Sequence, residues 1–175
     1  RVRDIGIDDY YSYRNGKIVY AAYQSDPRWA NRDYSVIKLL DIYTGQQKQI
    51  THRSKYFSPG INANGTEVLV VDVHTDGTNN LARIDARSGK LMQKTPNPHN
   101  YFFTQTKFIN SNTAVAAVRD PEGSMALVKV DLTSGDTEKL TPVSFNVIGY
   151  PFVKGDTVYF NAMHENADKI FAVTL

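Results

Sequence analysis

The sequence predicts an all-β chain, a β-propeller of four-stranded antiparallel blades, with about four blades in its 175 residues. Three observations carry this. The motif Asp-x-x-Thr/Ser-Gly occurs at 41–45, 85–89 and 131–135, so its Asp residues stand 44 and 46 residues apart. A strand-built period of about 40–45 residues is the mark of a propeller blade. Pro, Gly and Asn punctuate the chain about every ten residues, which leaves no amphipathic run of helical period. Finally, each repeat holds a strand that is apolar on both faces, as a sheet stacked between two neighbours requires.

In order along the chain, each repeat opens with an inner strand A and a tight turn. The turns are Asn15-Gly16, Asn64-Gly65, Ser111-Asn112 and Gly155-Asp156. Asn-Gly is the strongest short hairpin signal, and Ser-Asn is its weaker equivalent. Strand B follows as Ile18 to Ala22, Val68 to Val71, Ala114 to Val118 and Val158 to Phe160. These runs do not alternate polar with apolar. Strand C ends at the motif Asp, whose carboxylate can accept from the amides of the turn while Gly takes the positive φ. Strand D leads to a Thr six residues past each Gly, at Thr51, Thr95 and Thr141. Units therefore run roughly 8–51, 52–96, 97–141 and 142–175 within one domain, 1–175. The fourth stops after strand C. Either residues 1–7 supply its missing outer strand and close a ring, or the ring is larger and this chain is part of it.

Composition removes several function classes. Lys plus Arg number 20 against 18 Asp plus Glu, a net charge of +2. That is too little basic excess for nucleic acid as the main partner. No run approaches the roughly 18 apolar residues of a spanning helix, so direct membrane insertion is not expected. With no cysteine, disulfides, zinc ribbons and thiol catalysis are excluded. The chain begins at Arg1 without Met or a signal-like segment and reads as a piece of a longer protein.

The residues resemble the TolB-like propeller repeat. Unit two has Phe57-Ser58-Pro59, Asn64-Gly65, Val68 to Val71, Asp85, Ser88-Gly89 and Lys94-Thr95. Unit three has Asp131, Ser134-Gly135 and Leu140-Thr141, and unit one has Asp41, Thr44-Gly45 and Ile50-Thr51. Unit four departs, with Thr174 at the Asp position. The resemblance covers nearly the whole chain. It implies a propeller of six or more blades and a location in the bacterial periplasm or cell envelope. Functions among such propellers range over envelope scaffolds, gates of prolyl oligopeptidases and some lyases.

Connection topology sorts the loops onto two faces. The A–B and C–D turns share one face. The other face takes residues 24–33, 74–80, 119–124 and 164–168 as B–C loops, and 52–56, 96–100 and 142–144 as D–A links. All four histidines, His52, His74, His99 and His164, fall there. They read either as a metal or acid–base site or as polar loop residues, and their spacing matches no ligand motif. Residues 24–33 hold the single Trp29 between Arg28 and Arg32. Trp and Arg anchor interfaces, and Trp stacks on sugars; alternatively Trp29 covers the blade edge. Arg53 and Lys55 add positive charge. Asp72, Asp76, Asp120 and Glu122 lie near the same face, where a carboxylate pair could act on glycosides and where turn acids are also common.

No nucleophile elbow, P-loop or dinucleotide fingerprint is present, so no catalytic residue and no cofactor is expected. The expected function is a non-catalytic module binding a peptide, protein or glycan through Arg28, Trp29, Arg32, Arg53, His74, His99 and His164. The alternative is an enzyme-associated propeller, either a metal-assisted lyase or hydrolase using the histidine face or the gate of a peptidase. Open blade edges also predict self-association.

Overall fold

The computed structural model describes residues 11–175. Among these residues fifteen strands and no helix are found, and the strands form four antiparallel sheets arranged as a four-bladed propeller. Blade one is β1 (Tyr11–Arg14), β2 (Lys17–Asp26), β3 (Trp29–Asp41) and β4 (Gln47–Gln49). Blade two is β5 (Tyr56–Ile61), β6 (Glu67–Val73), β7 (Asn79–Asp85) and β8 (Leu91–Lys94). Blade three is β9 (Phe102–Phe108), β10 (Thr113–Arg119), β11 (Met125–Asp131) and β12 (Thr137–Lys139). Blade four has β13 (Ile148–Lys154), β14 (Thr157–His164) and β15 (Ala167–Thr174), with no fourth strand among the described residues. Residues 1–7, considered above as a ring-closing strand, lie outside the described residues.

The strands without polar alternation are the second strands of the blades, and the core shows why. In β6, Val68 and Val70 pack toward blade one with Val19 and Ile37. Leu69 and Val71 pack toward blade three with Ala114, Ala116 and Val118. In β10, Val115 and Ala117 turn instead to Ile148, Val158 and Phe160 of blade four. Blades two and three therefore bury both faces between their neighbours, which is where much of the hydrophobic stabilisation lies.

The repeated turn works as expected. Asp41 Oδ1 accepts from the amides of Tyr43 and Thr44 at 3.0 and 2.9 Å. Asp85 Oδ1 accepts from Arg87 and Ser88 at 3.1 and 2.7 Å, and Asp131 Oδ1 from Thr133 and Ser134 at 2.7 and 2.9 Å. At Asp85 the Ser88 hydroxyl also donates, at 2.6 Å, and is the largest cause holding that carboxyl below the usual carboxylate range; at Asp41 and Asp131 the amide bonds are the largest cause. Gly45, Gly89 and Gly135 follow at φ +69°, +71° and +81°. Thr51 Oγ1 accepts from Ile37 N at 2.8 Å and Thr141 Oγ1 from Leu127 N at 2.9 Å, pinning the end of strand D to strand C. In blade four Thr174 pairs with Thr157 where the other blades pair Asp41, Asp85 and Asp131, so it does occupy the Asp position.

Two of these turns are also joints between blades. A Cβ on Gly89 would lie 1.7 Å from Ile50 O, and one on Gly135 would lie 2.2 Å from Pro96 O. Each turn thus seats on the backbone that leaves the preceding blade. Gly45, in blade one, has nothing within 4 Å.

One expectation needs correction. Residues 24–33 are not a long loop. β2 continues to Asp26 and β3 starts at Trp29, so they form a hairpin with a tight turn. Buried Asp26 organises it. Its Oδ1 accepts from Arg28 N at 2.9 Å, and its Oδ2 accepts from Tyr34 Oη at 3.0 Å.

Candidate functional site

The link between blades one and two, residues 52–55, is the best-built segment of the face that carries the histidines. Ser54 Oγ donates to Ser35 O at 2.7 Å, and Ser35 N donates to Ser54 O at 2.9 Å. Ser35 Oγ donates to Tyr56 O at 2.6 Å, and Val73 N donates to Lys55 O at 3.0 Å. These bonds fasten the link to β3 on one side and to β6 on the other. They hold Arg53 at φ 50°, a left-handed conformation costing about 1 kcal/mol or more for a residue with a side chain.

The link forms one wall of an open groove of about 590 Å³ against blade two. Arg53, Lys55 and Lys90 line it together with His52 and His74. The one acidic lining residue, Asp72, is bound 2.9 Å from Lys94 Nζ. Arg53, Lys55 and Lys90 have no ion pair among the described residues. Burial pushes the Tyr56 phenol upward, and the charge of Asp72 adds to this, so it remains a neutral donor in the groove. The groove is chemically a cationic cleft with hydrogen-bond donors.

The residues singled out in the sequence divide between this groove and other places. His52, Arg53 and His74 come together in it. His52 Nδ1 lies 3.1 Å from Gln49 Nε2, and His74 Nε2 lies 3.1 Å from Asn80 Nδ2. Arg28, Trp29 and Arg32 sit at and beside the tip of the blade-one hairpin. Trp29 is 64% exposed and does not fold over the blade edge. Arg28 Nε is 3.8 Å from Asp26 Oδ1, and the Arg32 guanidinium is 5.5 Å from the Tyr34 ring centre. The Asp26 carboxyl is held low first by the Arg28 amide and then by the Tyr34 hydroxyl, with Arg53 and Arg32 adding their charges. Hairpin and groove thus share one electrostatic neighbourhood.

His99 and His164 stand elsewhere. His99 lies 5.3 Å from the Tyr101 ring, and His164 meets Phe171 edge-on at 6.0 Å. Among the described residues no three of His, Asp and Glu are grouped to hold a metal ion. Asp76 Oδ1 accepts from Thr78 N and Oγ1, and Asp120 Oδ1 accepts from Ser124 N. Both are turn acids, and Glu122 is exposed.

A second cavity, missed in the sequence, lies where the four inner strands meet. It has about 580 Å³ and is lined from β1, β5, β9 and β13. Its inner-strand residues carry no turn motif and no charged cluster in sequence, so only the convergence of blades assembles it.

No family model matches the chain, and no curated protein matches it in sequence. Solved structures do resemble it in fold. The putative TolB from Agrobacterium tumefaciens superposes with a TM-score of 0.70 at 13% identity, over 91% of this chain and 58% of that one. The β-propeller domain of the trilobed protease from Pyrococcus furiosus, described as having an open velcro topology, gives 0.59 at 11% identity over 94% and 53%. The acylaminoacyl peptidase of Pyrococcus horikoshii gives 0.57 at 12% identity over 91% and 31%. At this identity the likeness is one of fold. The chain spans between about a third and three-fifths of these structures.

Proposed function

We propose that this chain is a non-catalytic propeller module of a larger bacterial envelope protein, and that it binds an acidic peptide or protein segment in the groove between blades one and two. The observation that carries this is the groove's charge. Arg53, Lys55 and Lys90 line it with two histidines, and its single acid is already paired with Lys94. The rigid link supports the same reading, since a strained Arg53 held by several hydrogen bonds is a feature of pre-organised sites. Exposed Trp29 and Arg32 at the neighbouring hairpin extend the surface toward a protein partner. The periplasm or cell envelope as its location, and a ring of more blades than these four, rest on the resemblance to TolB-like repeats.

Surface charge pairs are each worth about 0.2–1 kcal/mol, so binding is expected to be modest and salt-sensitive. Calorimetry with a glutamate-rich hexapeptide tests this. Binding should weaken as salt rises, and the double variant Arg53→Ala/Lys55→Ala should lose about 2- to 30-fold in affinity. No heat with the wild-type chain at low salt would remove the proposal. A second reading, the gating propeller of a peptidase, draws on the fold likeness to the two archaeal enzymes, and there too the propeller itself would be non-catalytic.

A further inference from the structure

The axial cavity shares no lining residue with the groove and carries a different chemistry. Its mouth and walls are aromatic: Tyr11, Tyr13, Tyr150 and Phe152 are 56%, 49%, 60% and 55% exposed. Large aromatic rings left open around one concavity mark a ligand site more often than a plain surface. Two cations, Arg14 of β1 and Lys107 of β9, line the same space. Among the described residues no Asp or Glu does. Lys107 Nζ donates to Tyr11 O at 3.1 Å, and Arg14 Nη2 to Val153 O at 3.4 Å. Both partners are neutral carbonyls, so neither charge is balanced by these bonds. Burial, helped by the nearby Arg14 charge, pushes Lys107 down to about 8.

The backbone around the cavity is unusual in the same place. Ser58, Gln105 and Tyr150 have φ of 48°, 50° and 52°, one in each of β5, β9 and β13. Each marks a break in pairing with the second strand of its blade. All three line the cavity. Cross-blade bonds hold them: Thr106 Oγ1 donates to Ser58 O at 3.0 Å, and Tyr150 N donates to the Gln105 side chain. Bulges and left-handed residues of this kind collect at binding sites, where they re-aim side chains.

We infer that the axial cavity is a binding site for the C-terminal carboxylate of an apolar peptide. The carboxylate sits between Arg14 and Lys107, and the last side chains pack on the tyrosine and phenylalanine rings. A single negative charge matches two cations in a lining that, among the described residues, holds no acid. The walls are more apolar than polar, which suits hydrocarbon or aromatic side chains. A volume of about 580 Å³ is in the ordinary range of small-ligand sites.

The test compares acetyl-Leu-Phe bearing a free carboxylate with its C-terminal amide, using the full chain and ligand-observed NMR. The free acid should bind, and the amide should bind at least about tenfold more weakly, the loss expected for charge-assisted hydrogen bonds. Lys107→Met and Arg14→Gln should each bring the acid down toward the amide and leave the amide unchanged. Arg14 is exposed, so its variant keeps the test valid if Lys107→Met folds poorly. Arg53→Ala should have no effect, which separates this site from the groove. Equal binding of acid and amide, no binding of the acid at about 5 mM, or indifference to Arg14→Gln would each overturn the inference.

Discussion

Substituting Gly89 with Ala should damage the protein far more than the same change at Gly45. Both glycines close the same turn with nearly the same backbone, φ +71° and +69°. An alanine in that conformation costs about 1–2 kcal/mol at either site. The difference lies in what the new methyl meets. At Gly45 there is open space within 4 Å. At Gly89 the Cβ would stand 1.7 Å from Ile50 O and 2.6 Å from Ile50 C, and a real Cβ keeps at least about 3.0 Å. The atoms in the way are backbone, so blades one and two must part by about 1 Å or more. That disturbs the packing of Val19 and Ile37 on Val68 and Val70 and the bond from Lys48 Nζ to Arg87 O. Overpacking of this kind adds about 1–3 kcal/mol. Gly45→Ala should therefore cost about 1–2 kcal/mol and Gly89→Ala about 2–5 kcal/mol. Gly135→Ala, at 2.2 Å from Pro96 O, should resemble Gly89→Ala. Urea unfolding followed by circular dichroism reads this as a shift in midpoint at unchanged slope. Equal midpoints for the Gly45 and Gly89 variants would refute the view that these turns are joints between blades.

Three further outcomes are expected. Lys107 titrates near 8 in the folded chain against an ordinary 10.5, so between those values the unfolded chain holds more protons and stability rises with pH. The effect reaches at most about 3 kcal/mol, and comparing urea midpoints of wild type and Lys107→Met at pH 7.5 and 10 isolates it; a parallel pH response in both would contradict it. Asp26→Ala removes the acceptor for Arg28 N and Tyr34 Oη, so trypsin should cut after Arg28 or Arg32 faster than in wild type, and unchanged digestion would show that the turn does not depend on Asp26. Ile170 on β15 is 81% exposed at an edge without a fourth strand among the described residues, so sedimentation velocity should show concentration-dependent association that Ile170→Lys reduces. A concentration-independent monomer would count against an adhesive edge.

The repeat was legible because its residues are used locally. Asp41, Asp85 and Asp131 bond to amides two and three residues away, and their glycines supply the turn, so the signal is contained in five residues. Strands β6 and β10 were legible because stacking removes polar alternation. The hairpin of blade one was not. Its extension past the sheet is largely polar, and what straightens it is the buried Asp26–Tyr34 bond across the two strands. That His52, Arg53 and His74 line one groove depends on how the 52–55 link docks on β3 and β6. His99 and His164 belong to other blades and remain apart from it. The axial cavity left no trace in the chain at all. Ser58, Gln105 and Tyr150 are ordinary residues forced into a left-handed turn by bonds from neighbouring blades, and no short-range pattern announces that.

The most direct test of the proposed function is an NMR titration of the isotope-labelled chain with a glutamate-rich hexapeptide at low salt. Amide shifts should concentrate at residues 52–56, 72–75 and 88–90, with smaller changes around Trp29, and should fade as salt is added. Shifts confined to the turns at Gly45 and Gly135, or none at all, would contradict a cationic binding groove between blades one and two.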